Sequence, residues 1–189
     1  RTDQHIYAQV ITAEGDKVLA AARVTGKPVI VCFLGATRAD VEQQGFDCAL
    51  TLEEAALRAV ETLKSGKATF RSDHGATAGL QARAKRFAAS VGPGRKYLRG
   101  LYSGGTFCYE AQILLQDVLP GLQSNTPTRR TARMPDLWRS SGHTIMDLGD
   151  DDFTRGRPHP MIDPALRLER IGQEAADPET AIILLDVVL

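Results

Sequence analysis

The densest chemistry in this sequence lies between Gly142 and Asp163. Asp147, Asp150, Asp151 and Asp152 are followed closely by Arg155, Arg157 and His159. Arg157 offers a planar fork matched to phosphate or carboxylate. His159 is flanked by Pro158 and Pro160, which hold its backbone at low entropy cost, and its imidazole can move a proton near neutral pH. Asp150, Asp151 and Asp152 are the residue type that binds Mg²⁺ beside substrate phosphates, but consecutive side chains rarely converge on one point. The EF-hand spacing D-x-D-x-D-G is absent. The competing structural reading pairs these aspartates with Arg155, Arg157 and Arg170 in an ion network.

A second candidate is Ser103-Gly104-Gly105-Thr106, between a predicted strand and a predicted helix. The first N–H groups of a helix point outward, its dipole favours negative charge, and glycines admit a ligand to the backbone. A phosphate or carboxylate fits such a turn; a tight ligand-free turn is the even alternative. No acidic residue occurs between Asp73 and Glu110, while Arg83, Lys85, Arg86, Arg95, Lys96 and Arg99 do. That basic run suits an anionic ligand or a solvated helix face. Cys32, Cys48 and Cys108 lie in apolar sequence without CxxC or CxxH spacing, so buried thiols are expected and zinc is not. A nucleophilic Cys108 would need a nearby base. His5, His74 and His143 read as ordinary polar residues.

The elements that must position these residues alternate between strand and helix. Strands are expected over residues 6–11, 28–34, 46–50, 97–102, 144–148 and 181–189. Helices are expected over 16–24, from Thr51 onward, and over 80–89, 106–116 and 163–175. The run from Pro28 to Leu34 is continuously apolar, as in a strand covered on both faces of a parallel sheet. Thr51-Leu-Glu-Glu54 predicts a capping box, with Leu52, Ala55, Ala56, Ala59, Val60 and Leu63 facing inward. Asp163-Pro164 predicts an N-cap followed by the first helical residue. Residues 64–79 lose periodicity and read as a linker, 120–141 as a long excursion, and 149–162 as a loop. The chain is expected to be cut within a sheet, since the apolar strand ending at Leu189 would normally feed a returning helix.

The 189 residues carry 23 basic and 23 acidic side chains, for a formal net charge of +0. That balance argues against a nucleic-acid partner. The longest apolar stretches fall well short of the ~20 residues a membrane span requires. No targeting peptide is visible at the start, and the expected compartment is the cytoplasm.

Six segments together resemble one family. Residues 26–35 with 51–56, 100–111, 143–154, 156–164 and 183–188 are similar, in order, to FdrA proteins. The block Gly156-Arg-Pro-His-Pro-Met-Ile-Asp-Pro164 is the most specific, and Arg155 is a mild departure where a small apolar residue is expected. FdrA proteins resemble the α subunit of succinyl-CoA synthetase and other NDP-forming acyl-CoA synthetases. The resemblance implies parallel-sheet, flavodoxin-like ligase domains of three α/β/α layers, preceded in the longer protein by a CoA-binding domain. Residues 1–65 would then end one ligase domain, 66–96 link, and 97–189 begin a second.

The resemblance also implies a component of an oxamate carbamoyltransferase in allantoin breakdown, acting on acyl or carbamoyl phosphate with a small carboxylate. It implies partner subunits, an oligomer, and CoA, a nucleotide or Mg²⁺ as groups of the longer protein, with no metal ligand assigned here. In this view His159 and Arg157 are catalytic. Ser103, Gly104, Gly105, Thr106, Asp147, Asp150 and Asp151 bind the substrate anion. The synthetases carry phosphate on a histidine in a loop after the strand matching 28–34. Residues 35–49 contain no histidine, so direct transfer is expected. The alternatives are an NDP-forming acyl-CoA ligase and a non-catalytic scaffold subunit.

Overall fold

A computed structural model describes residues 7–10, 26–65 and 78–187. The helix expected over 16–24 lies outside these residues, as do His5 and His74. The chain divides into two compact units, residues 1–73 and 74–189, each taken here by itself.

In the first unit β1 (Tyr7–Val10), β2 (Val29–Cys32) and β3 (Asp47–Ala49) pair in parallel in the order β1-β2-β3. Alternate residues of β2 enter two different cores, as its unbroken apolar run predicts. Ile30 and Cys32 pack with Ala49 and Ala55, and Val31 packs with Val41, Phe46 and Cys48. Val41 belongs to α1 (Arg38–Glu42), a helix inside what reads as a polar loop. Its signal was present: Thr37 accepts from the Asp40 N–H and Asp40 accepts from the Thr37 N–H, a full capping box.

The box expected at the start of α2 (Leu52–Ser65) is only half made. Thr51 Oγ1 accepts from the Glu54 N–H at 3.1 Å, but the Glu54 carboxylate takes the Leu50 N–H at 2.8 Å and the guanidinium groups of Arg38 and Arg58. Burial pushes the Glu54 carboxyl up, yet these donors hold it below its ordinary value. Ala56, Val60 and Leu63, expected inward, are exposed, and the apolar side of α2 narrows to Leu52, Ala55 and Ala59.

The second unit is a five-stranded parallel sheet in the order β6-β5-β7-β4-β8. Its strands are β4 (Tyr97–Tyr102), β5 (Gln123–Ser124), β6 (Ala132–Arg133), β7 (Thr144–Asp147) and β8 (Thr180–Leu185). Its helices are α3 (Ala78–Ser90), α4 (Gly105–Leu115), α5 (Asp151–Thr154) and α6 (Ala165–Ala176). Leu101 and Met146 pack on one face with Phe153 of α5 and Leu166 of α6. Tyr102 and Ile145 pack on the other with Cys108 and Ala111 of α4. This is the three-layer, flavodoxin-like α/β arrangement, with β4 and β7 at its centre.

Several local expectations change. The excursion over 120–141 adds β5 and β6 to the sheet, and the loop over 149–162 contains α5. Pro164, not Asp163, is the cap residue of α6, although the Asp163 carboxylate still accepts the Ala165 N–H at 2.9 Å. β8 is an edge strand and not a strand covered on both faces, with Ile182 40% and Leu185 41% exposed.

Candidate functional site

Two loops part at the carboxyl edge of the central strands. After β4 the chain turns into α4 on one face; after β7 it runs through α5 to α6 on the other. Such a divergence leaves a crevice in which parallel α/β sheets bind ligands. Gly104 caps α4 with extended backbone and contributes no side-chain hydrogen bond, so no side chain of the cap satisfies the first N–H groups of that helix. Thr106, next in the turn, is exposed.

Asp147 ends β7 beside this turn. Asn125 grips its backbone with two 2.9 Å bonds, Nδ2 donating to the Asp147 carbonyl and Oδ1 accepting its N–H. Asp147 Oδ1 accepts the Gly149 N–H at 2.9 Å, while Oδ2 faces Gly105, where an added methyl would lie 3.1 Å away. Burial raises the Asp147 carboxyl above its ordinary value. The Gly149 N–H and His159 oppose that rise, and Asp150 and Asp186 add to it.

His159 sits against Gly149: a methyl there would lie 2.5 Å from His159 Nε2 and 2.7 Å from the Ser103 carbonyl. His159 Nδ1 accepts the Met161 N–H at 3.2 Å, which places the proton of the neutral ring on Nε2. Met161 lies over Gly104, its methyl 3.2 Å from where a Cβ there would sit. Thus Ser103, Gly104, Gly105, Asp147, Asp150 and His159 share one edge.

Part of the expected cradle is already filled. Ser103 is buried, its N–H donates to the Asp186 carboxylate at 3.1 Å, and its hydroxyl accepts from Arg167 at 2.8 Å. Arg167 also pairs with Asp186 at 2.6 Å. The chain's own carboxylate therefore occupies the Ser103 N–H, and the open part of the turn is Gly104–Thr106. Sequence reasoning missed both residues. The Asp closing the apolar run of β8, as Asp147 closes β7, was the available signal; Arg167 had none.

The other candidates disperse. The Arg157 guanidinium lies over the Trp138 ring, 5.6 Å from its centroid. Asp150 caps α5 by accepting the Asp152 N–H at 2.9 Å, Asp151 is exposed, and Asp152 pairs with Arg133 at 3.4 Å. The network with Arg155, Arg157 and Arg170 does not form, because Arg170 pairs with the buried Glu174. Among the described residues, no group of three or more His, Cys, Asp or Glu side chains could hold a metal ion.

The basic run is also redirected. Arg95 donates to the Thr180 carbonyl at 2.7 Å, and Arg99 binds Glu174 and Asp177, both toward the amino end of β4. His143 is at that end too, with Nδ1 accepting the Leu98 N–H at 3.1 Å. Burial raises the Cys108 thiol to about 11, which rules against a thiolate nucleophile there. Cys48 is likewise raised by burial.

Residues 101–189 match the family model for CoA-ligase. The matched segment begins within β4 and contains every residue at the crevice. Over 174 residues the chain is 43% identical to a protein of Escherichia coli strain K12 described as uncharacterized protein YahF. The match covers 92% of this chain and 33% of YahF, so the chain spans about a third of that relative's length. Among the described residues, no helix is long and apolar enough to cross a membrane.

Proposed function

We propose that the CoA-ligase segment binds the phosphoryl or carboxylate group of a small substrate at the open N-terminus of α4. The finer reading is an FdrA-type enzyme component that transfers an acyl or carbamoyl group from a phosphorylated donor to a small carboxylate, as in an oxamate carbamoyltransferase of allantoin breakdown. One observation carries it: α4 opens without a side-chain cap at the carboxyl edge of a parallel sheet, within the CoA-ligase segment. Its N–H groups are preorganised donors for charge that develops during such a transfer. His159 is placed by Met161 and Gly149 to hold a proton on Nε2 facing the same edge. Arg157 enters this reading only by leaving the Trp138 ring. The absence of histidine from residues 35–49 favours direct transfer over a phosphohistidine relay. Partner subunits, a cytoplasmic setting, CoA and a nucleotide belong to the proposal for the longer protein, and no step is routed through them. The dispersed aspartates do not fit Mg²⁺.

The test is titration with carbamoyl phosphate and inorganic phosphate, followed by the amide shifts of Gly105 and Thr106. Both ligands should move these signals and compete. Gly105→Val, which drives a side chain against Asp147, should weaken binding about tenfold or more. Incubation with labelled ATP should leave no acid-labile phosphoprotein. Undisturbed amide signals at saturating ligand would refute the site. A second reading, a non-catalytic scaffold subunit, is favoured by the exposed apolar side of β8. It predicts carbamoyl transfer in the assembled complex that survives Gly105→Val.

A further inference from the structure

We propose that α3 is an exchanged docking helix: it seats in the apolar groove between α4 and the end of β8 of a second copy of this chain, with Arg83 on that copy's Glu110. The inference stands apart from the anion site. Every side chain of α3 from residue 80 to 90 is exposed. A lone helix of 13 residues is marginal in water and gains its stability when an apolar face is covered. Such a face is present: Leu80, Arg83, Ala84, Arg86 and Phe87 line one shallow depression, with Leu80 54% and Phe87 51% exposed. The same unit also leaves a groove of about 430 Å³ uncovered, walled by Phe107, Leu114, Leu184 and Val187.

The two helix faces match in spacing and oppose in charge. On α3 an apolar residue, a cation and an apolar residue stand at Leu80, Arg83 and Phe87. On α4 an apolar residue, an anion and an apolar residue stand at Phe107, Glu110 and Leu114, at the same offsets along the helix. Laid side by side in parallel, Leu80 meets Phe107, Arg83 meets Glu110 and Phe87 meets Leu114. The charged residues lining the groove are Glu110 and Asp186, while α3 carries Arg83, Lys85 and Arg86 in a stretch without an acidic residue. Two α3 helices therefore repel each other, whereas α4 attracts α3. A second copy is the source, because this copy's α3 stands clear of its own groove and leaves both faces exposed at once. Gly92-Pro93-Gly94, between α3 and β4, is a short connector of the kind across which protomers exchange an element, and a two-fold pair fills both seats.

Sedimentation velocity of the full 189-residue chain over a range of concentrations reads the outcome. A reversible monomer–dimer equilibrium is expected, weakened by added salt. Phe87→Ala removes an anchor and Arg83→Glu sets like charges together, so each should raise the dimer Kd about tenfold or more. Glu110→Arg should do the same alone, and combined with Arg83→Glu it should restore the wild-type Kd. Because α3 is exposed throughout its own copy, Phe87→Ala should leave the urea midpoint of the dilute monomer unchanged. A chain that stays monomeric at every concentration would overturn the proposal. That includes a monomer in which Phe87→Ala shifts the Phe107 and Leu114 resonances, since α3 then occupies its own groove. Association indifferent to both α3 substitutions would overturn it too, and would assign the contact to edge pairing of β8.

Discussion

At the residue scale, the carboxyl edge is crowded around glycines whose missing side chains make room for function. Gly149 is the tightest: its Cα faces both His159 Nε2 and the Ser103 carbonyl, the latter immovable backbone. Gly149→Ala should therefore destabilise the second unit by about 1–3 kcal/mol through overpacking, and it should displace His159. Urea unfolding gives the first quantity, and the His159 imidazole resonances give the second. A variant as stable as the wild type, with unmoved resonances, would mean that the loop after β7 relaxes freely. The same crowding explains why a histidine between prolines can be positioned so closely: Pro160 is buried, so the ring's backbone is held by packing as well as by covalent restriction.

At the element scale, α6 joins the two ends of the sheet. Arg167, near its start, ties Ser103 to Asp186 at the carboxyl edge. Two turns later, Glu174 accepts Arg99 Nε at 3.0 Å and pairs with Arg170, all three side chains being almost fully buried. Arg99 Nη1 and Arg170 Nε find no partner, and burial lowers the Arg170 pKa from its ordinary value. Arg170 thus depends on Glu174 alone among carboxylates, while Arg99 also reaches Asp177 at 2.9 Å. Glu174→Ala should cost about 3–5 kcal/mol, because it strands the buried Arg170 without a counter-ion and leaves Arg99 with Asp177 only. Chemical denaturation measures this, and a loss below about 1 kcal/mol would show that water reaches the pair. The basic run around Arg95 and Arg99 is accordingly a fastening of β4 to the end of α6 and the start of β8, at the edge opposite the Gly104–Thr106 turn.

At the scale of the whole molecule, the exposed side of β8 is the salient feature. A groove of about 430 Å³ runs between α4 and the end of β8, lined by Tyr102, Phe107, Leu114, Leu184, Leu185 and Val187. Phe107, Leu114 and Val187 are each more than half exposed. An open edge strand beside apolar side chains templates association. The 189-residue chain should self-associate reversibly in a concentration-dependent way. Leu184→Lys, a charge placed on that edge, should suppress this in sedimentation velocity without lowering the melting temperature of the second unit. Association that survives Leu184→Lys would place the contact elsewhere.

Read alone, the sequence determined the alternation of strand and helix and the parallel character of the core strands. It also placed the Ser103–Thr106 turn between strand and helix. These are local: apolar runs, caps and glycines act within a few residues, and Ile30, Val31 and Cys32 of β2 are buried because the run is apolar throughout. The inward side of α2, the strands within 120–141 and the fate of the charges were decided only by the fold. Glu54 left its capping role because Arg38 arrives from α1, joining the Leu50 N–H and Arg58 one turn along α2, and Arg99 lies away from the Ser103–Thr106 turn because β4 carries it to Glu174. Asp186 reached Ser103 across 83 positions of sequence, a pairing that exists only because β8 lies beside β4 in the sheet. Long-range electrostatics depends on which strands become neighbours, and residue spacing along one chain does not encode that order.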